Sequence, residues 1–327
     1  LRILDEPSGH HNYSQSKIQN PKSKMIYTGY ADFWFLDAPL PERVAKFAVL
    51  DVRYLDVWAW RSKGTQMDEL AAACRQHGCD INSTFDEAGG SLTDSNDLSL
   101  CLDAWSESLD HAERWGAQHL FMFSEQINLP SRQTGGGGGG RIPKHVDGWV
   151  KTPSRDFTLQ QKYASLLDGA ARVMEIVEKT NIVVWFEALN TWHLHGGITV
   201  STHELAADIV RRIHHPQLRL AFDCYHQQRT AGNLIQGLRD HWGLYDSVHV
   251  GDVPTRGVPG SGEINFTNIA ATLRDLGFDA EGKNKIGMEF YAPAGEEAAA
   301  FAHVKSLFDT VGISPRRSGA SEARRTG

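Results

Sequence analysis

From Met25 onward the chain repeats one pattern eight times: a short run of aliphatic and aromatic residues, then a longer stretch with helical periodicity. That alternation reads as repeated βα units and commits the chain to a largely parallel sheet with helices packed on it. The expected strands are Ile26–Phe33, Tyr54–Trp60, Asp80–Phe85, His119–Phe123, Ile182–Leu189, Leu218–Asp223, Ser247–Val250 and Lys285–Phe290. Helices are expected near 41–50, 65–77, 97–115, 157–179, 201–214, 230–242, 266–276 and 295–311. Local signals agree. Ser201 and Thr202 offer N-cap hydroxyls, Pro41 suits a first helical turn, and Gly78, Gly116 and Gly277 follow periodic stretches as left-handed C-caps do.

Eight such units close into a barrel or lie open as a doubly wound sheet. No G-x-G-x-x-G follows the first strand, which removes the main support for an open dinucleotide-binding sheet. The expected fold is therefore a single (β/α)8 TIM barrel, which needs about 250 residues as one domain. The barrel is expected over residues 25–313, with 1–24 a flexible N-terminal extension and 314–327 a disordered basic tail. One connection breaks the rhythm. Ser124 to Asp156, with six consecutive glycines at Gly135–Gly140, forms a long Gly-rich insertion after the fourth strand. Such a loop is either unstructured or a lid, here with Trp149, Arg141 and Lys144 as contacts.

A 41% hydrophobic and 22% charged composition supports a sizeable core. The net charge of −7 offers no basic field for a phosphate backbone, so nucleic acid is not an expected partner. No apolar run approaches the roughly 20 residues that span a bilayer, and residues 1–24 are too polar for a signal peptide. Cys74, Cys79, Cys101 and Cys224 form no C-x-x-C pair and suit reduced, buried thiols, so the expected location is the cytoplasm.

In a barrel of this kind chemistry sits at the C-terminal ends of the strands. Four apolar runs there end on a polar side chain: Glu187, Asp223, His249 and Glu289, separated by 36, 26 and 40 residues. Each spacing fits one helix, its loops and the next strand, so the four converge on one side of the barrel mouth. Three carboxylates buried together are costly without a cation. With an imidazole they suit one divalent metal, Mn2+ first, with Mg2+ or Co2+ as alternatives, and the absence of cysteine argues against structural zinc.

Three strings carry a resemblance: Glu187-Ala-Leu-Asn190-Thr; Phe222-Asp223-Cys-Tyr-His226-Gln-Gln; and His249-Val-Gly-Asp252-Val-Pro-Thr-Arg256-Gly-Val-Pro-Gly-Ser-Gly-Glu263-Ile-Asn-Phe, followed by Gly287-Met-Glu289-Phe-Tyr. The chain resembles the hydroxypyruvate isomerase and ketose 3-epimerase branch of the xylose isomerase-like barrels, by motif in its second half and by architecture in its first. The resemblance implies metal ligation by the same four residues, with Glu187 and Glu289 also acting as acid and base on opposite faces of a sugar or hydroxy-keto acid. It further implies that His226, Arg256 and Asn190 contact substrate; Arg256 alternatively pairs with Asp252 or Glu263.

The chain departs from that branch six positions after Glu187, where His193 replaces an acidic residue; His195 reads as a solvated loop histidine. With the enlarged loop, this is similar to the large subunit of C-glycoside deglycosidases. There His193 would be the base in C–C cleavage of a 3-oxo-C-glycoside, and Trp58, Trp60, Trp149 and Trp192 would face an aromatic aglycone. The expected assembly is a homo-oligomer or, for a deglycosidase, a hetero-oligomer with a small subunit. A non-catalytic sugar-binding barrel is the further alternative. An apurinic-site endonuclease would want more His and Asp ligands and a basic face.

Overall fold

Strand pairing runs once around the sheet and returns to its start. A computed structural model describes residues 25–127, 150–151, 155–191, 195–278 and 280–309. Its strands are β1 (Ile26–Tyr30), β2 (Tyr54–Asp56), β3 (Asp80–Thr84), β4 (His119–Met122), β5 (Val183–Glu187), β6 (Leu218–Asp223), β7 (Tyr245–Val250) and β8 (Lys285–Met288). They form a closed parallel barrel in chain order, β8 pairing back onto β1 with Ile26 opposite Lys285. The ends of the chain and most of the Gly-rich segment lie outside the described residues.

The helices are α1 (Leu40–Val49), α2 (Trp60–Lys63), α3 (Gln66–His77), α4 (Leu98–Trp115), α5 (Leu159–Val177), α6 (His203–Ile213), α7 (Cys224–Thr230), α8 (Leu234–Asp240), α9 (Phe266–Leu276) and α10 (Glu297–Asp309). Gly78, Gly116 and Gly277 are left-handed C-caps, as expected. Thr158 and Gln161 form a reciprocal capping box on α5.

Most strands stop before their apolar runs do. Beyond the last ladder bonds, Phe33, Phe85 and Phe290 remain buried, because the mouth of the barrel is itself lined with side chains. Two short helices, α2 and α7, were not expected. The signal for α7 was Asp223, whose Oδ1 accepts the His226 N–H at 2.9 Å as an N-cap.

Period-two alternation decides what points inward. On β5, Val184 and Phe186 join the layer between strands and helices, whereas Trp185 fills the barrel interior with Phe121 and Phe85. Glu187, two residues beyond Trp185, therefore faces the axis at the top. On β7 the register jumps, Leu220 facing Tyr245 and Ala221 facing Ser247, so Asp246 is an extra residue. Tyr245 packs outward against Phe222 and Phe278, and the shift leaves His249 inward against Tyr30, Phe121 and Trp185.

Candidate metal centre

Glu187 ends β5, Asp223 ends β6, His249 lies on β7 and Glu289 directly follows β8. Each offers one ligand atom, and those atoms all lie within 4.8 Å of one another. All four residues are buried. The close approach of β7 and β8 depends on Gly287, where an added Cβ would sit 2.5 Å from His249 Cδ2. Glu187 Oε1 is buried and makes no hydrogen bond, and Glu289 Oε2, also buried, faces His249 Nδ1 at 3.2 Å. Three carboxylates and an imidazole, hard and borderline donors with ligand atoms this close together in a buried site, fit a divalent cation.

Burial, then the charges of Glu289 and Asp223, push the Glu187 carboxyl well above the ordinary range. Burial also raises Asp223, to about 6, although Arg256 opposes the rise. Glu289 is the exception. Burial acts upward on it, but Arg256 and His249 outweigh burial and hold it below the usual value. By the protein's own charges alone, the two glutamates thus have opposite proton preferences.

Arg256 and His226 stand directly beside this group. One guanidinium nitrogen, Nη2, lies 2.9 Å from Asp223 Oδ2 and also pairs with Glu289 Oε1, while Nε donates to the Glu289 carbonyl at 3.1 Å. Arg256 therefore pairs with two members of the cluster, not with Asp252 or Glu263. The Asp252 carboxylate instead accepts the N–H groups of Val253, Gly260, Gly262 and Ile264 at 2.8–3.0 Å and so ties the β7–α9 loop together. His226 Nδ1 accepts the Asn190 backbone N–H at 2.9 Å. Its proton therefore sits on Nε2, 4.0 Å from Glu187 and Asp223 and 3.1 Å from Arg256 Nη1.

A cleft open to solvent lies over the cluster, and its opposite wall is Tyr30, Trp58, Phe85, Phe121, Phe123, Ile127 and Leu189. His195 lines it too. That residue is not a solvated loop histidine: it is 8% exposed, its ring centroid is 5.4 Å from that of His226, and burial lowers its pKa to about 3. The Gly196-Gly197 turn, with Ile198 N–H on the His195 carbonyl, folds it inward. Trp58 is part of the wall, but Trp60 is not. The Trp60 indole packs behind the wall on His111 and Trp115, with Nε1 on Ser108. Trp149, Trp192 and His193, with the lid residues Arg141 and Lys144, lie outside the described residues.

Comparison with known proteins gives a match to the xylose isomerase-like TIM barrel family over residues 46–306. A mouse protein with a provisional hydroxypyruvate isomerase name is 31% identical over 202 residues, 62% of this chain and 68% of that one. The hydroxypyruvate isomerase of Escherichia coli is 28% identical over 129 residues, 39% of this chain and 49% of its own length. The chain spans about half the length of several curated relatives it matches. A D-psicose 3-epimerase structure from Clostridium cellulolyticum, with D-tagatose, superposes with a TM-score of 0.67 at 15% identity, covering 87% of this chain and 99% of that one.

Proposed function

The chain belongs to the xylose isomerase-like TIM barrel family, and from that premise we propose a divalent-metal-dependent isomerase or epimerase acting on a sugar or hydroxy-keto acid. The observation that carries the reading is the convergence of Glu187, Asp223, His249 and Glu289, all buried, with ligand atoms within 4.8 Å of one another. Mn2+ is the favoured ion for that donor set, Mg2+ or Co2+ next. Bound there, it would supply Lewis-acid stabilisation of negative charge on an oxygen beside the reacting carbon.

The chain's own groups do the rest. Glu289, held ionised, takes the proton from the carbon next to the carbonyl, and the C–H electron pair moves toward the carbonyl. Glu187 is the partner that returns a proton. Return to the former carbonyl carbon, with the neighbouring hydroxyl proton passing to the former carbonyl oxygen, isomerises; return to the opposite face of the same carbon epimerises. His226 Nε2 and Arg256 Nη1 are both donors only 3.1 Å apart, an arrangement satisfied by one acceptor oxygen that both reach. We assign that oxygen to the substrate, with Asn190 holding His226 in the donating tautomer.

The test is metal analysis followed by solvent-deuterium incorporation into ketoses and hydroxypyruvate, with and without Mn2+. Metal-dependent exchange is expected, and Glu187→Gln or Glu289→Gln is expected to reduce it by about 10³-fold. Full exchange in either variant overturns the carboxylate mechanism. A second reading, C–C cleavage of a 3-oxo-C-glycoside, draws on the aromatic wall and the neutral buried imidazole of His195. It predicts aglycone release, dependent on His193 or His195, with a small second subunit present.

A further inference from the structure

When all three are ionised, as metal ligation requires, the carboxylates of this buried cluster carry three negative charges, and the only guanidinium or ammonium group in direct contact with them, among the described residues, is Arg256. Its attachment is unusually complete. Besides its bonds to Asp223, Glu289 and the Glu289 carbonyl, the guanidinium lies over the rings of Tyr225, Phe33 and Trp58, at 4.9, 5.6 and 5.8 Å from their centroids. Its backbone takes a left-handed φ of 53°, and its carbonyl accepts the Tyr291 N–H at 2.8 Å. A non-glycine residue is rarely held in that conformation without surrounding contacts that impose it.

Arg256 pairs with Asp223 Oδ2 and Glu289 Oε1, while Asp223 Oδ1 accepts the His226 N–H and Glu289 Oε2 faces His249 Nδ1 at 3.2 Å. Both Asp223 oxygens are thus engaged, so guanidinium and metal compete for that carboxylate, whereas Glu289 offers each its own oxygen. With both in place, one positive charge from arginine and two from a divalent ion balance three carboxylates.

We infer that Arg256 is the built-in counter-cation of the metal centre: it keeps the carboxylate cluster folded without the metal, and its charge loosens metal binding. This rests on the metal-centre part of the function proposed above and on no particular substrate. A like charge within the same buried cluster repels the incoming ion, so removing it strengthens binding. Removing it also leaves buried carboxylates unpaired when the metal is stripped away. A purely space-filling arginine predicts no gain in affinity.

The experiment compares wild type, Arg256→Gln and Arg256→Lys, each full chain, by thermal melting in chelator and by Mn2+ titration. In chelator, Arg256→Gln is expected to melt lower by on the order of 10 °C. It is expected to bind Mn2+ on the order of tenfold more tightly and to regain most of the lost stability when loaded. Arg256→Lys, which keeps the charge without the planar fork, is expected to fall between the two. An unchanged melting temperature in chelator, or weaker Mn2+ binding by Arg256→Gln, overturns the inference. If Arg256→Gln does not fold without metal, adding Glu289→Gln is expected to restore folding by removing an unpaired charge, and failure to do so also overturns it. Wild type that binds no Mn2+ sinks the metal centre itself, whereas wild type that binds it no more weakly than Arg256→Gln sinks only this role for arginine.

Discussion

His203 is fully buried at the start of α6, its ring tilted against Phe222 with a centroid separation of 4.0 Å, and burial lowers its pKa to about 3. In the unfolded chain the imidazole protonates near pH 6.5, so between pH 6.5 and 3 the unfolded state binds the extra proton. Stability from this group is fully present above pH 6.5 and drains away as the pH falls. Replacing it by phenylalanine should shrink the loss between pH 7 and pH 5 by about 2 kcal/mol, measured from urea midpoints; an unchanged loss would show that His203 does not titrate this way. At this scale legibility depended on context. Glu187, Asp223, His249 and Glu289 stood out because each ended an apolar run, which a polar group does only where the chain meets solvent or a site. His195 did not, since its burial comes from the turn at Gly196-Gly197, and a lone histidine beside two glycines has the same appearance in a solvated loop.

The β7–α9 loop shows how an element is built around one side chain. Asp252 is 1% exposed and gathers four backbone N–H groups, and Gly262 admits no side chain, since a Cβ there would lie 1.9 Å from the Val253 carbonyl oxygen. Through that loop Asp252 holds Arg256 in place. Asp252→Asn turns part of the acceptor surface into a donor facing other donors. It should destabilise the protein by roughly 2–3 kcal/mol and raise KM more than it lowers kcat; wild-type stability and kinetics would count against this role. The string Pro259-Gly-Ser-Gly262 is visible in the sequence, but nothing in it reveals which acceptor organises the loop. The strands were legible as apolar runs. Their ends were less so, because a barrel mouth keeps residues such as Phe85 buried after the last ladder bond.

Across the whole molecule the barrel divides into two halves. β1 to β4 and the residues just beyond them contribute Tyr30, Trp58, Phe85, Phe121 and Phe123, and β5 to β8 contribute the four candidate metal ligands. The eight-unit repeat was legible from the alternation of apolar runs, but this division was not: the aromatic half shares no motif spacing, only position. Trp58→Leu or Phe85→Leu should move KM by about tenfold while leaving Mn2+ affinity within about twofold of wild type; a matching loss of Mn2+ affinity would mean the halves are not separable. That partition has a consequence for how such a protein diversifies. Substitutions in the aromatic wall fall on strands that do not carry the four candidate metal ligands, so that surface can be reshaped without replacing any of them. The ring closure between β1 and β8 keeps the two halves on a single rigid frame.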